Sequence, residues 1–335
     1  MKSFLGRRLK QDVVNSVGLV LLPARSILGS EELELLRMHR IDPFSIMIEE
    51  EAEIAAVSSE TRMKQVVQHA KELFNTIQIT KKIPLLEIRE EIVPAVQQMT
   101  ENANIFQLFE AVRAKDDYTH QHNIGVGVLA TLIGKWMNLS ANELTTLSLA
   151  ATLHDVGKVR IPLEILNKPG KLTREEYEII KRHSLYGYEM LKDTVGVGPR
   201  VAAVALQHHE REDGRGYPNG LKKDKIDLFS KIVAVADIFH AMTSKRPYHE
   251  PMPFHEVITE MRGGTFGEFE PEIVSVFLEH ITRHLVGNQV ILTDGRRGEV
   301  VYINPHDTGS PLVKIHNEFV DLSKERLIQI LTILA

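Results

Sequence analysis

The chain has 335 residues, 43% hydrophobic and 25% charged, the balance of an ordinary soluble globular protein. A formal charge of −5 gives no overall pull toward nucleic acid or an anionic membrane, so an anionic ligand must be met by locally placed Lys and Arg. With no cysteine, disulfides and thiolate metal sites are excluded, and any metal must be held by His and carboxylates.

No stretch approaches the roughly 18 continuous apolar residues of a transmembrane helix. The basic start is followed by too short an apolar run for a secretory signal, so a cytoplasmic protein of about two domains is expected. Residues 1–50 carry short apolar runs, Val17 to Leu22 and Phe44 to Ile48, around a helical patch from Glu31 to His39, and predict a small β-containing unit with one helix. Residues 51–104 read as a charged helical connector with Pro84 and Pro94 at its joints or first turns. It fits equally a dimer contact and a solvated spacer. Residues 105–286 are densely helical and hold most of the histidines. From 287 to 335 the hairpin signals around Asp294-Gly295 and the β-branched run Glu299 to Ile303 predict a small β module, closed by a helix from Ser323 to Leu334. The fold class is mainly α.

The central stretch is LHDVGKVRIP, residues 153–162. The apolar run from Leu147 to Val156 reads as a buried helix bearing His154 and Asp155 near its end, with Gly157 as a stop signal. A neutral imidazole beside an anion suits a hard or borderline divalent metal. His122 runs into the apolar helix Ile124 to Trp136, His183 lies in the amphipathic helix carrying Ile179-Ile180, and His208 and His209 end the helix begun at Val201. Asp237 lies inside the apolar run from Ile232 to Phe239. Each alone is as well explained as a hydrogen-bonded core residue. Five histidines and two aspartates buried together without metal would face a large desolvation cost. Seven N/O ligands suffice for two metals if Asp155 bridges them, leaving positions for water and substrate. In HHEREDGRGYP, residues 208–218, two glycines allow close backbone approach, Tyr217 offers a stacking face and Arg211 and Arg215 can meet phosphate.

LHDVGKVRIP, HHEREDGRGYP and the later VADIFHAMTSKRPY, in that order, closely resemble the HD-GYP family, a branch of the HD phosphohydrolases, over roughly residues 105–280. The resemblance implies a helical HD-type bundle core and a metal centre of iron or manganese held by His122, His154, Asp155, His183, His208, His209 and Asp237. It implies hydrolysis of cyclic di-GMP to the linear dinucleotide pGpG and, in many members, onward to GMP. It gives Lys158 and Arg246 roles on substrate, with Arg211, Arg215, Gly216, Tyr217 and Pro218 in the substrate loop. A hydroxide bridging two divalent metals, between His122, His154, Asp155 and Asp237 on one side and Asp155, His183, His208 and His209 on the other, would attack the phosphorus, with Asp155 and Lys158 as the catalytic pair.

Several positions depart from the family pattern. Tyr118 stands four before His122, where trinuclear members carry glutamate, so a binuclear site is expected. Glu212 replaces an aromatic residue, His240 an aspartate, and His249 a Lys or Arg. His240 is three residues after Asp237, on the same helical face, and fits either an additional group reaching the metal site or a core or surface histidine with no metal role. Another HD hydrolase activity on a nucleotide, another cyclic dinucleotide such as cyclic GMP-AMP, and a non-catalytic cyclic di-GMP-binding module remain open. No DNA, RNA polymer or membrane partner is expected.

Overall fold

The computed structural model describes residues 9–14, 20–23, 26, 28–39, 41, 46, 51–101, 105, 106, 108, 118–244, 251–264, 267–304, 307–325 and 327–334. Arg246 and His249, and the Phe44–Ile48 run except Ile46, lie outside them. The chain divides into two compact units, 1–58 and 59–335. The first contains strands β1 (Val13–Val14) and β2 (Val20–Leu22), paired antiparallel, and helix α1 (Ser30–Met38). Leu9, Val13, Leu22, Leu28, Leu36 and Ile46 form its core.

The second unit is a helical bundle with a terminal sheet. Helix α2 (Glu51–Thr80), which lies in this unit from residue 59 onward, leads to a helical segment, α3, at 85–99, interrupted by a π-helical turn at Ile88–Ile92. Then follow α4 (Tyr118–Trp136), α5 (Ala141–Thr152), a 3₁₀ turn (Val156–Arg160), α6 (Leu163–Leu166), α7 (Arg174–Lys181), α8 (His183–Lys192), α9 (Pro199–Gln207), α10 (Leu228–Thr243), α11 (Phe254–Gly264) and α12 (Pro271–Arg283). Local chemistry sets these boundaries. Ser140 with Glu143 and Thr173 with Glu176 form capping boxes for α5 and α7, the Asp227 carboxylate caps α10 by accepting from Phe229 N–H, and Pro199 and Pro271 occupy first turns. Helix α4 packs against α5 and α10, while α8 packs against α9 and the 3₁₀ turn. These contacts draw the histidine-bearing ends together.

Strands β3 (Gln289–Leu292), β4 (Arg297–Asn304), β5 (Asp307–Ile315), β6 (Glu318–Asp321) and β7 (Ile330–Leu334) form an antiparallel sheet of order β6-β5-β4-β3-β7. The helix expected from Ser323 to Leu334 is therefore corrected: the segment turns at Asp321–Lys324 and finishes as β7, with Ile333 opposite Val290. Its short apolar run fits either period, and the open edge of β3 decides for the strand. Val290, Val300, Val313 and Ile330 of the sheet share one hydrophobic core with the helices.

Candidate metal centre

The His-Asp pair does not sit on a helix. Helix α5 stops at Thr152, and i→i+3 hydrogen bonds from Val156 N–H to Leu153 O (3.1 Å) and from Lys158 N–H to Asp155 O (2.9 Å) tighten the chain into the 3₁₀ turn. The expected helix through Val156 is thus cut short, and the turn sends His154 and Asp155 toward one centre. Gly157 makes this possible: a Cβ there would lie 2.0 Å from the His183 carbonyl oxygen and 2.4 Å from Gly187 N. His183 begins α8 rather than continuing α7, and His208 and His209 lie just past α9.

Asp155 divides the centre. Its Oδ2 faces Nε2 of His154 at 3.4 Å and of His122 at 3.6 Å, and its Oδ1 faces Nε2 of His183 at 3.2 Å and of His208 at 3.8 Å. Asp237 Oδ1 is 3.2 Å from His122 Nε2, and the His209 ring lies 4.1 Å from that of His208. Two groups result, Asp155, His183, His208 and His209, and His122, His154 and Asp237, each offering donor atoms within 4.8 Å of one another. All seven sequence-selected residues are brought together. His122, His154, Asp155, His183 and His208 are buried, whereas the Asp237 side chain is 15% exposed and Lys158 22% exposed, so the centre opens toward solvent on their side.

The donor set fits metal chemistry. His154 Nε2 and Asp155 Oδ1 are buried and make no hydrogen bond, although both face other donor atoms of the cluster. Nδ1–H of His154 donates to Ala151 O (2.7 Å), that of His183 to Ile180 O (2.7 Å) and that of His208 to Ala205 O (3.0 Å). Each bond leaves an Nε2 lone pair aimed inward, the arrangement that orients a ligating imidazole. Burial, with His154 and His183 nearby, pushes His208 down to about 3, and burial with His208 holds His209 well below its ordinary value. Burial acts to raise both carboxyls, yet Lys158 and His154 beside Asp155, and His122 beside Asp237, hold them well below the usual carboxylate range. Neutral imidazoles and ionised carboxylates are the forms a divalent cation requires.

These shifts fix a pH dependence. Between pH 6.5 and about 3 the unfolded chain protonates its histidine at position 208 while the folded chain does not, so folded stability falls as pH falls through that window. His122 and His209 act in the same direction. The raised His154 acts oppositely: its contribution is full below 6.5 and is lost as pH rises through its folded value. With three groups against one, metal-free protein is expected to have a lower denaturant midpoint at pH 4.5 than at pH 7; an unchanged midpoint would contradict the buried neutral imidazoles.

The 210–218 loop is built on a residue that sequence reasoning passed over. Glu210 is 3% exposed, and its Oε1 and Oε2 accept the Asn219 and Leu221 N–H groups, each at 2.8 Å. An acid directly after a double histidine, ahead of a glycine-rich turn, was the available signal. Gly216 folds tightly against the backbone of His209 to Arg211. Tyr217, followed by Pro218 through a cis bond, stacks on His209 at 4.6 Å, so one face of the expected base platform is already taken by a ligand candidate. Arg211 lies over Phe269 (4.9 Å) and donates to Glu210 O (3.0 Å), while the Arg215 side chain is 90% exposed beside Asp213. Glu212, in place of an aromatic residue, pairs with Lys231 (2.9 Å), which also holds Glu270 (2.8 Å). Glu210→Ala is expected to cost about 1.5–3 kcal/mol of stability, the range for hydrogen bonds to a charged group. Urea denaturation measures this, and proteolysis within 210–221 should rise in parallel.

The HD domain family profile matches residues 96–273. Over 315 residues the chain is 30% identical to the cyclic di-GMP phosphodiesterase PA4108 of Pseudomonas aeruginosa, covering 92% of this chain and 75% of that protein. It is 42% identical to a cyclic di-GMP phosphodiesterase of Thermotoga maritima over 180 residues, 52% of this chain and 49% of the relative. A 3'3'-cGAMP-specific phosphodiesterase 1 of Vibrio cholerae is 43% identical over 151 residues, 45% of this chain and 35% of its own length. Among solved structures, Bd1817, an HDG"Y"P protein from Bdellovibrio bacteriovorus, aligns with 83% of this chain and 97% of its own at 17% identity and a TM-score of 0.46. The helical bundle with its paired His and Asp belongs to the HD domain family. Within that family the run from His208 to Pro218 places the chain in the HD-GYP branch.

Proposed function

We propose that this chain is a metal-dependent phosphodiesterase that hydrolyses cyclic di-GMP to linear pGpG and onward to GMP. The observation that carries this reading is the division of Asp155, one oxygen facing each set of imidazoles. Such a carboxylate suits two divalent ions, one held by His122, His154, Asp155 and Asp237 and the other by Asp155, His183, His208 and His209. The nitrogen and oxygen donors suit iron or manganese. When bound, such ions supply Lewis acidity toward phosphoryl oxygens and lower the pKa of water.

The chain's own residues do the rest. Asp155 and Asp237 bring negative charge that offsets the cations. The three Nδ1–H bonds to carbonyls fix ring orientation, and Tyr217 stacked on His209 holds that ring in place. Lys158, bonded to Asp155 Oδ2, lies at the open side, where a phosphodiester would approach, and offsets charge on its oxygens. Arg246, Arg211 and Arg215, which the family resemblance assigns to the substrate, would meet its other phosphate oxygens in this reading. The partner is a free cyclic dinucleotide in the cytoplasm rather than a nucleic-acid polymer; among the described residues no helix is long and apolar enough to cross a membrane.

A turnover assay on metal-loaded protein with cyclic di-GMP, 3'3'-cGAMP and pGpG tests this. Loss of cyclic di-GMP with appearance of pGpG and GMP is expected. Binding without hydrolysis would make the chain a sensor, and hydrolysis of cGAMP alone would move it to the specificity of the Vibrio cholerae relative.

A further inference from the structure

Three of the four buried histidines at the centre tie Nδ1 to a backbone carbonyl of their own preceding turn. The fourth, His122, meets a side chain: its Nδ1 is 3.1 Å from Nδ1 of His240, with ring centroids 5.0 Å apart at 67°. His240 is 1% exposed on α10, and its Nδ1 is also 3.2 Å from Ser244 Oγ. Helix α4 makes room for the ring at Gly125, where a Cβ would lie 2.1 Å from His240 Nε2 and 2.4 Å from Cδ2.

Two imidazole nitrogens at that distance share one proton, and its location decides what His122 can do. With the proton on His122 Nδ1, its Nε2 presents a lone pair to the centre, and His240 accepts at Nδ1 while carrying its own proton on Nε2. With the proton on His240 Nδ1, a neutral His122 carries hydrogen on Nε2, pointed at Asp237 Oδ1 3.2 Å away, and is closed as a ligand.

We propose that His240 is a positioning residue for His122, its Nδ1 lone pair accepting the His122 Nδ1–H so that the His122 Nε2 lone pair faces the metal position shared with His154 and Asp237. This rests on the metal reading above and extends it. The metal position His240 serves is the one at His122, and not the one at His183, His208 and His209.

The test is Mn(II) binding by titration calorimetry, backed by electron paramagnetic resonance of free Mn(II). His240→Phe, which fills the space without an acceptor, is expected to weaken one of the two Mn(II) equivalents by about 10–100-fold, the range for removing the hydrogen-bond partner of a ligating histidine, and to spare the other. His240→Asn, whose Oδ1 falls where Nδ1 of the imidazole lies, should restore wild-type affinity. Unchanged binding in His240→Phe, equal weakening of both equivalents, or failure of the Asn variant to recover would overturn the proposal. Nitrogen-15 spectra of wild-type protein loaded with diamagnetic Zn(II) test it without any variant. A proton on Nδ1 of His122 and on Nε2 of His240 is expected, and the reverse pair would overturn it. Wild-type protein that takes up no Mn(II), Fe(II) or Zn(II) would instead overturn the metal reading on which the proposal stands.

Discussion

Asp155→Asn is expected to abolish binding of both metal ions and, with it, turnover. The substitution keeps the side chain's shape and removes its charge. The carboxylate is buried with Oδ2 toward His122 and His154 and Oδ1 toward His183 and His208, so its loss withdraws an anionic donor from both sets at once. It also leaves Lys158 without the carboxylate it bonds, adding an uncompensated cation where metal should bind. Removing an outer hydrogen-bond partner of a metal ligand typically costs about 10–100-fold, and loss of a shared ligand should exceed that. Elemental analysis of anaerobically prepared protein would show about two ions per wild-type chain and almost none in the variant, in line with a two-metal site. Retention of one ion would show that Asp155 serves a single position.

Lys158→Ala is expected to lower turnover by about 10²–10³-fold, the effect of removing one donor aimed at charge that grows in a transition state, with little change in the Michaelis constant. The lysine is three residues after Asp155 in a 3₁₀ turn, where side chains at that spacing eclipse, and this brings its ammonium onto Asp155 Oδ2. Metal content should be retained, because Lys158 is not a donor and His154 also holds the Asp155 carboxyl down. Arg246→Ala should instead raise the Michaelis constant, the pattern of binding shared by ground and transition states. Metal loss in Lys158→Ala, or normal kinetics in both variants, would show that the phosphate lies on another side of the centre.

The candidate donors were legible in the sequence because burying a charged or imidazole side chain in an apolar run is costly, and seven such residues recur across the helical region. The helical class followed from periodicity, a small β-containing N-terminal unit from short apolar runs punctuated by Gly and Pro, and the turn at Asp294-Gly295 from its β-branched flanks. Other features depend on contacts between distant segments. The sequence already suggested that Asp155 is shared by two histidine sets, but that Oδ2 faces one set and Oδ1 the other follows from the approach of α8 to Gly157, which a one-dimensional pattern does not encode. Glu210 is one acid among several in the 208–218 run, and only the return of the chain at Asn219 and Leu221 gives its carboxylate two donors. The segment 330–334 carries an apolar run compatible with either helix or strand, and the open edge of β3 settles which one forms. His240 was legible as a residue on the helical face of Asp237, but its bond to His122 requires α4 and α10 to pack with Gly125 between them. The sequence by itself thus determined which groups could bind metal and the class of fold that gathers them, since composition and periodicity are local properties. The tertiary structure decided which oxygen meets which imidazole and which neighbour holds each ring, because those relations arise only when separate helices pack.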